Sequence, residues 1–495
     1  MSLKPIILKG EQKRILFLPS TKPIQIKGVA GSGKTTVSLY RAKHLLDTQS
    51  NLFQGAKVVI FTFNKTLVKY IESITPYILG GYQQDSEELL DSTPGLDIKV
   101  TNFHKWAYGF ITNNGTSLSN RTISGNDQKS LIENIIQEIR STNEKFDSNI
   151  LEKKVEFFIE EISWIKGKDF KFEKEYVEAQ RIGRGTTDRV TKIDKEVIWK
   201  VYSGYNAKLR NNNKFDFDDY ALLCLRIIES NPDIPKPFTH IVVDEAQDLT
   251  KAQMLVISKI ISNETESITI IADAAQRIYK SGFTWSEVGL NLVGGRTIEL
   301  KKNYRNTSQI VKTAKSLIDN ENDRSDFTEI ILPSREGNQK PILGKFQWRE
   351  DQNRYLINEL SRLKNIGEIK STVILHRTNP GLYGIKSNLN MNGFVTRELR
   401  NNSNINFDDE IINLCTLSSI KGLEFDNVFV IDVNEDYIPY PPGFNEENDE
   451  YHISTERRLL YTSMTRARER LYLLSNGTPS RYLDEINQDL VELVN

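Results

Sequence analysis

Residues 28–35 constrain the fold more than any other part of the sequence, because they match the pattern G-x-x-x-x-G-K-[ST] in full. The apolar residues 23–26 before them predict a strand, and residues 36–47 after them predict a helix. In such a turn, backbone N–H groups close around phosphate oxygens and the helix N-terminus adds positive potential. The pattern therefore predicts a phosphate-binding loop. Its residues are Gly28, Val29, Ala30, Gly31, Ser32, Gly33, Lys34, Thr35 and Thr36.

Four polar side chains in or near this loop carry the predicted chemistry. Lys34 is expected to reach the β- and γ-phosphates of a nucleoside triphosphate, and the Thr35 hydroxyl is expected to bind Mg²⁺. Asp244, at the end of an apolar strand, is a second predicted Mg²⁺ ligand. Glu245, one residue on, is predicted to orient and deprotonate the attacking water. Although an acidic pair can be an ordinary turn at a strand end, its combination with the full loop favours a site for ATP and Mg²⁺.

Short β-rich runs alternate with helical patterns over most of the chain. These runs are residues 24–27, 58–63, 241–244, 268–272, 373–376, 413–416, 428–432 and 471–474. Because strands separated by helices pair as parallel sheets, the alternation predicts an α/β fold. Residues from about 129 to 205 have a mostly helical pattern instead, which predicts an insertion standing on the first sheet.

Composition places limits on the location and partners of the protein. The 495 residues include 65 basic and 66 acidic side chains, so the net charge of −1 argues against a strongly basic nucleic-acid binder. A narrow cleft, however, needs only local positive potential to hold a strand. No apolar run approaches the roughly 18 residues of a membrane span, and the first ten residues lack a secretory signal pattern. With only two cysteines, these features predict a cytoplasmic protein without a membrane partner.

Beyond the loop, a series of motifs resembles, in order, those of the UvrD/Rep-type superfamily 1 (SF1A) DNA helicases. The motifs are residues 8–12, 61–65, 101–104, 244–248, 272–279, 300–306, 416–425 and 456–467. The resemblance implies an α/β fold with two RecA-like P-loop NTPase lobes and a mainly helical insertion in the first lobe. The implied segments are 1–110 (lobe 1A, first part), 111–212 (helical insertion 1B), 213–300 (lobe 1A, second part) and 301–495 (lobe 2A).

The resemblance also implies roles for residues outside the loop. Gln12 would read the adenine edge, Tyr304 would stack on adenine and Glu424 would contact the ribose. Three further residues would act at the γ-phosphate, with the two arginines supplied by the second lobe when the lobes close. These are Gln276, Arg305 and Arg466. The implied DNA contacts are Thr62, Phe63, Asn64, Thr101, Phe103, His104 and Tyr279.

Three departures from the family pattern bear on function. Ser281 stands where the family usually has a base-stacking tryptophan, and Ser418 stands where it usually has a histidine. Too few residues separate the second-lobe motif at 376–379 from the motif at 416–425 to form the large accessory 2B subdomain. The chain is therefore expected to be a short form, for which 3′→5′ translocation on single-stranded DNA is favoured over processive unwinding.

Other interpretations stay open at this point. The first is an ATP-dependent DNA helicase or translocase acting on single-stranded or tailed duplex DNA, with a nuclease or other protein as a partner. The alternatives are a nucleotide-controlled regulatory ATPase subunit of a repair or anti-phage complex, and an RNA motor. Residues 183–185 fit either a strand contact or a plain surface turn. Core packing is expected for Phe283 and Trp285, and a solvated helix face for Arg457, Arg458, Arg468 and Arg470.

Overall fold

Two sheets of parallel strands form the framework of the protein, and helices flank both. The computed structural model describes residues 8–49, 55–62, 68, 98–142, 147–179, 190–276, 283–292, 296–322, 324, 327–399, 409–440 and 450–495. Every pairing between the strands given below is parallel. The predicted α/β class with two parallel-sheet lobes is therefore confirmed.

The sheet of lobe 1 has six strands. They are β1 (Ile24–Gly28), β2 (Val58–Thr62), β3 (Ile98–Asn102), β4 (His240–Val243), β5 (Ser267–Ala272) and β6 (Thr297–Leu300). Their order across the sheet is β3-β2-β4-β5-β1-β6, and β2, β4 and β5 are buried along their full length. Such burial is expected for a parallel sheet covered on both faces. Since all six strands run the same way, the loop after β1 and residues 244–245 after β4 meet at one edge.

The sheet of lobe 2 has seven strands. They are β7 (Ile342–Phe346), β8 (Thr372–His376), β9 (Thr396–Glu398), β10 (Ile412–Thr416), β11 (Phe425–Val430), β12 (Ala467–Asn476) and β13 (Glu492–Val494). Their order is β13-β7-β12-β11-β8-β10-β9. Alternate residues of β8 face two different apolar clusters, with Val373 and Leu375 in one and Ile374 in the other. The four runs predicted between residues 373 and 474 correspond to β8, β10, β11 and β12, although the run 428–432 extends two residues past the end of β11.

Thirteen helices flank these sheets in the described part of the chain. They are α1 (Lys34–Gln49), α2 (Phe103–Asn113), α3 (Asn126–Ser141), α4 (Val155–Lys168), α5 (Glu173–Glu178), α6 (Lys192–Asn211), α7 (Asp219–Ser230), α8 (Lys251–Lys259), α9 (Ser308–Ile318), α10 (Arg349–Asn365), α11 (Asn379–Met391), α12 (Glu450–Met464) and α13 (Arg481–Glu485). Among these described helices, none has the length and apolar character needed to cross a membrane.

Helices α3–α6 form the insertion and pack around an apolar core of their own. Phe158, Ile162 and Val201 are fully buried in that core. The capping box at Thr191 and Asp194 sets the start of α6, because each side chain accepts a hydrogen bond from the other residue's backbone N–H. The mainly helical insertion is thus confirmed, whereas the boundaries of the four predicted segments stay predictions.

The solvated helix face predicted for four arginines is wrong. Arg457 is only 9% exposed, and its guanidinium donates to Glu321 at 2.8 Å. Arg458, whose side chain is 15% exposed, donates to the same carboxylate, so this shared acidic partner offsets part of the cost of enclosing both cations. Arg468 and Arg470 lie on β12, beyond the end of α12.

The prediction that two aromatic residues pack in the core agrees better with the structure than the prediction for the arginines. Phe283 and Trp285 are partly buried and pack against the apolar core of lobe 1. Their ring centroids lie 5.5 Å apart in an edge-to-face contact, which is a favourable geometry for two aromatic rings. Both rings therefore contribute to packing in this conformation.

A buried lysine joins the insertion to lobe 1. Lys166 of α4 is fully enclosed, and its Nζ lies 2.7 Å from both Asp216 Oδ2 and Asp219 Oδ1. The Tyr205 hydroxyl donates to the same Asp216 oxygen at 2.9 Å. Burial alone would lower the pKa of Lys166, but the two carboxylates outweigh it and raise the pKa. Lys166 therefore stays charged and holds the insertion to the segment that precedes α7.

We expect Lys166→Met to lower the free energy of unfolding of the insertion by about 3–5 kcal/mol. The reason is that the substitution leaves Asp216 and Asp219 as buried carboxylates without their cation. Urea unfolding followed through the fluorescence of Trp164 and Trp199, which lie in the insertion, measures the loss.

The matched control is Lys174→Met in the same insertion. The Lys174 side chain is 82% exposed and its Nζ lies 3.9 Å from Glu178, so its removal should change stability by less than about 1 kcal/mol. An effect of Lys166→Met no larger than that of this control would contradict the assignment of Lys166 as the joint.

Candidate functional site

The loop after β1 depends on two glycines with left-handed backbone angles. Gly31 has φ of +73° and Gly33 has φ of +81°, a region that residues with a Cβ rarely adopt. A Cβ at Gly31 would lie 2.4 Å from Asn303 Nδ2, and one at Gly33 would lie 2.5 Å from Gln12 Nε2. The loop is therefore fixed both by its own backbone and by side chains packed against it.

Lys34, at the start of α1, points back into the loop. Its Nζ donates to Gly28 O at 3.0 Å and to Val29 O at 3.1 Å, and it lies 3.0 Å from Asp273 Oδ2. The side chain is 8% exposed. The Ser32 hydroxyl oxygen beside it is buried and has no hydrogen-bond partner within the described structure. A buried cation beside a buried polar atom with unused bonding capacity fits the binding of phosphate oxygens.

Thr35 and Asp244 form the part of the site that fits a magnesium ion. The Thr35 hydroxyl donates to Asp244 Oδ2 at 2.9 Å. Adjacent oxygen ligands of an octahedral Mg²⁺ ion, each about 2.1 Å from it, are about 3 Å apart, so the spacing fits. Burial and the neighbouring Glu245 carboxylate raise the pKa of Asp244 to about 7, which is the effect that a nearby cation would oppose.

Protein ligands alone do not form a complete metal site here. The described residues contain no group of three or more His, Cys, Asp or Glu side chains that could hold a metal ion. Mg²⁺ in nucleotide sites commonly uses one or two protein ligands together with substrate phosphates and water. The pair at the loop fits that arrangement.

Glu245 follows β4 and is held in place by partners from both lobes. Its backbone is left-handed, with φ of +54°, and its side chain is 4% exposed. Gln247 Nε2 donates to Glu245 Oε2 at 2.5 Å, and Lys421 Nζ lies 3.7 Å from that oxygen. Burial acts to raise the pKa of Glu245, but Lys421, Lys34 and Arg466 outweigh it and lower the pKa. The carboxylate is thus kept ionised, as a proton acceptor must be.

An arginine from lobe 2 enters the same buried site. Arg466 is 2% exposed, and its Nη2 donates to Gln276 Oε1 in lobe 1 at 3.0 Å. Its Nε donates to Thr462 O at 2.9 Å. Burial and the nearby Arg305 lower its pKa to about 10, so the guanidinium remains positive at neutral pH. Two predicted γ-phosphate residues, Gln276 and Arg466, are therefore in direct contact across the lobe interface.

Lys421 is a buried residue of this site to which the sequence motifs gave no role. It is 1% exposed, and its Nζ lies 2.5 Å from Asp248 Oδ2 and donates to Gln276 O at 2.9 Å. Together with its approach to Glu245, these contacts link lobe 2 to three residues of lobe 1. No local sequence pattern points to it, because its partners in lobe 1 are 145 or more positions away in the sequence.

The two residues predicted to contact adenine both lie against the loop. Gln12 Nε2 donates to Ser32 O at 2.7 Å, and the backbone N–H of Tyr304 donates to Gly31 O at 2.8 Å. A Cβ at Gly10 would lie 2.8 Å from the Tyr304 hydroxyl, which places that ring beside the segment carrying Gln12.

Two of the predicted nucleotide ligands contact each other. The predicted γ-phosphate arginine, Arg305, and the predicted ribose ligand, Glu424, form an ion pair with each other. Their charges neutralise one another in this conformation, so each would have to leave its partner to contact a nucleotide.

The predicted DNA contacts differ in accessibility. Thr62 and Thr101 are each 1% exposed, and Phe103 is 2% exposed and packs in the core of lobe 1. In this conformation, these three side chains are inaccessible to a DNA strand. His104 is half-buried, with its ring in edge contact with the exposed ring of Phe217. Phe63, Asn64, Tyr279, Ser281 and residues 183–185 lie outside the described residues.

Two helicase domain families match this sequence. Residues 8–286 match the profile of the UvrD/REP helicase N-terminal domain. Residues 298–403 and 394–477 match that of the UvrD-like helicase C-terminal domain.

Three curated relatives have similar identities to this chain. ATP-dependent DNA helicase PcrA of Leuconostoc citreum is 24% identical over 385 residues, covering 74% of this chain and 46% of the relative. PcrA of Staphylococcus aureus (strain Mu50) is 26% identical over 373 residues, covering 72% and 46%. ATP-dependent DNA helicase srs2 of Schizosaccharomyces pombe is 25% identical over 377 residues, covering 73% and 40%. The chain therefore spans less than half the length of these relatives.

Since the N-terminal profile alone matches more than half of its residues, the chain belongs to the UvrD/REP helicase family.

Proposed function

We propose that this chain is an ATP-dependent DNA helicase or translocase that moves 3′→5′ along single-stranded DNA. Hydrolysis of ATP would be coupled to closure and opening of the two lobes. The observation that carries the proposal is the contact of Arg466 from lobe 2 with Gln276 of lobe 1, beside the ionised Glu245. Because arginines that stabilise phosphoryl transfer act only when in place, their supply from a second lobe ties chemistry to lobe position.

Within the proposed mechanism, residues of lobe 1 bind and position the triphosphate. Lys34 exchanges the carbonyl oxygens of Gly28 and Val29 for phosphate oxygens. Thr35 and Asp244 would hold Mg²⁺, whose charge stabilises the negative charge that develops during phosphoryl transfer. Positioning and charge stabilisation are the main contributions that a protein can make to this reaction.

Glu245 and two arginines complete the proposed reaction. Glu245, kept ionised by its cationic neighbours, accepts the proton of the attacking water. Arg305 leaves Glu424 for the γ-phosphate, and Glu424 turns to the ribose. Arg466 stabilises the negative charge next to Gln276. After phosphate release the arginines lose that anion, and the lobes can separate.

Single-stranded or tailed duplex DNA is the proposed substrate. The carboxyl ends of β2 and β3 place residues 62 and 102 side by side at the sheet edge that also holds the loop. We propose that a strand contacts this edge through the His104 ring and through the backbone of Thr62 and Thr101, in addition to Phe63, Asn64 and Tyr279. Such contacts would be sequence-tolerant and salt-sensitive.

One feature favours a second candidate function. Between the end of β8 and the start of β10, the described residues form only α11 and the three-residue strand β9. Because little mass lies there to contact a duplex, the second candidate is a nucleotide-controlled, DNA-binding regulatory subunit of a larger repair or anti-phage assembly. Unwinding or translocation by the isolated chain separates this subunit from the proposed motor.

Glu245→Gln should lower ATP turnover by about 10²–10⁴-fold, because the amide cannot accept the proton of the attacking water. Nucleotide-dependent binding to single-stranded DNA should persist, because the loop and its lysine are unchanged. Steady-state ATPase rates and fluorescence anisotropy of a labelled oligonucleotide measure the two effects. Glu264→Gln, at an exposed position of the same lobe, is the control and should change neither. Unchanged turnover in Glu245→Gln would show that another group is the base.

Arg466→Ala and Arg305→Ala should each lower turnover by about 10³-fold or more, because each removes positive charge from the transition state. Affinity for a non-hydrolysable ATP analogue should fall far less, since lobe 1 keeps its phosphate contacts. Arg354→Ala, at a 70% exposed position in lobe 2, is the matched control. Because Arg466 is buried, Arg466→Lys provides a variant that keeps the charge but not the planar fork. Normal ATP turnover in the folded alanine variants would contradict the proposed coupling of hydrolysis to lobe closure.

Displacement of streptavidin from biotinylated oligonucleotides tests direction. A 3′→5′ motor should displace streptavidin from the 5′ end in the presence of ATP, and leave it at the 3′ end. Displacement from the 3′ end alone would reverse the proposed polarity. Strand-stimulated ATPase activity without displacement from either end would favour the regulatory subunit, and the same assay on RNA oligonucleotides tests the RNA motor.

A further inference from the structure

A cavity of about 320 Å³ lies where the helical insertion meets lobe 1. Three aromatic side chains line it: Phe170, just after α4, Tyr202 on α6 and Phe215 in the segment before α7. Its volume is near the lower end of the range for small-ligand sites. Aromatic rings in the wall of such a cavity can stack against a planar group.

The cavity also holds positive charge that the described structure does not neutralise. Arg210, at the end of α6, and Arg226, on α7, both line it and are both exposed. In the described part of the chain, neither guanidinium has a hydrogen-bond or ion-pair partner. Lys171 and Asp219, which also line the cavity, are each paired, with Asp169 and Lys166 respectively at 2.7 Å. The charged side chains that remain available to a ligand in this cavity are therefore the two positive guanidinium groups.

We propose that this cavity binds a nucleoside phosphate, with the base against the aromatic wall and the phosphate between Arg210 and Arg226. Guanidinium groups bind phosphate through paired hydrogen bonds, and aromatic side chains stack on any base. Two ligands combine a base with a phosphate in this way: a free mononucleotide, and one nucleotide of a DNA strand. The site goes beyond the proposed ATPase function and does not depend on it.

Helix α7 separates this cavity from the predicted DNA contacts. Asp219, Leu222 and Arg226 line the cavity from one side of α7. On another side of the helix, Tyr220 packs against the ring of His104. Because Asp219 also pairs with Lys166, an occupant of the cavity would contact the joint between insertion and lobe 1. The cavity is thus a separate site, placed where it can sense or set the position of the insertion.

Equilibrium dialysis of the full chain with labelled thymidine monophosphate tests the site, with the phosphate-binding loop first filled by a non-hydrolysable ATP analogue and Mg²⁺. A second set of measurements uses a labelled single-stranded oligothymidylate of 16 nucleotides. The test variant is Arg210→Glu/Arg226→Glu, and affinity should fall by at least about tenfold, because hydrogen bonds to charged groups are the strong class. Arg210→Gln/Arg226→Gln, a milder change, should have a smaller effect in the same direction.

The matched control is Lys174→Glu, a charge reversal at an 82% exposed position of the same insertion. Loss of monophosphate binding in the double variant, but not in the control, supports a free nucleotide as occupant. Loss of oligothymidylate binding alone supports a nucleotide of a strand. Affinities for both probes that match those of the control, in variants with unchanged melting temperature, overturn the proposal.

Discussion

A charged guanidinium buried between two lobes is the interaction on which the site depends. Arg466 comes from lobe 2, is 2% exposed and donates to Gln276 of lobe 1. Burying a charge is costly unless polar or charged partners compensate for it. The ionised Glu245 nearby supplies part of that compensation. In the proposed mechanism, a change in negative charge at the loop therefore changes how well the two lobes fit together.

The rest of the interface combines apolar contact with charges that can change partners. Ala30 and Ala275 of lobe 1 pack in an apolar core formed mainly by lobe 2, which contributes to the contact between the lobes in this conformation. Lys421 adds an ion pair with Asp248 across the interface, and Arg305 pairs with Glu424 within lobe 2. Apolar contact is not directional, whereas hydrogen-bonded charges are. This combination suits an interface whose polar contacts change partners during the proposed cycle of closure and opening.

The parts of this picture that could be predicted from the sequence are those with a local signal. The phosphate loop has fixed spacing within eight residues, and the strands follow from short β-rich runs. The ion pair between Lys166 and Asp216 joins residues 50 positions apart, and Lys421 meets Asp248 across the lobe interface, so neither has a local pattern. Burial of basic side chains such as Arg457 also depends on distant carboxylates. Ion pairs between residues that are distant in the sequence therefore could not be predicted from local sequence patterns.

Single-molecule fluorescence energy transfer between the lobes tests the central claim most directly. Dyes can be placed at Asp47→Cys on α1 and Arg354→Cys on α10, whose side chains are 52% and 70% exposed, while Cys224 and Cys415 are buried. We predict that a non-hydrolysable ATP analogue changes the transfer efficiency and that ADP reverses the change. In an Arg466→Ala background the nucleotide-dependent change should be lost. An equal change with and without the Arg466 guanidinium would contradict the account.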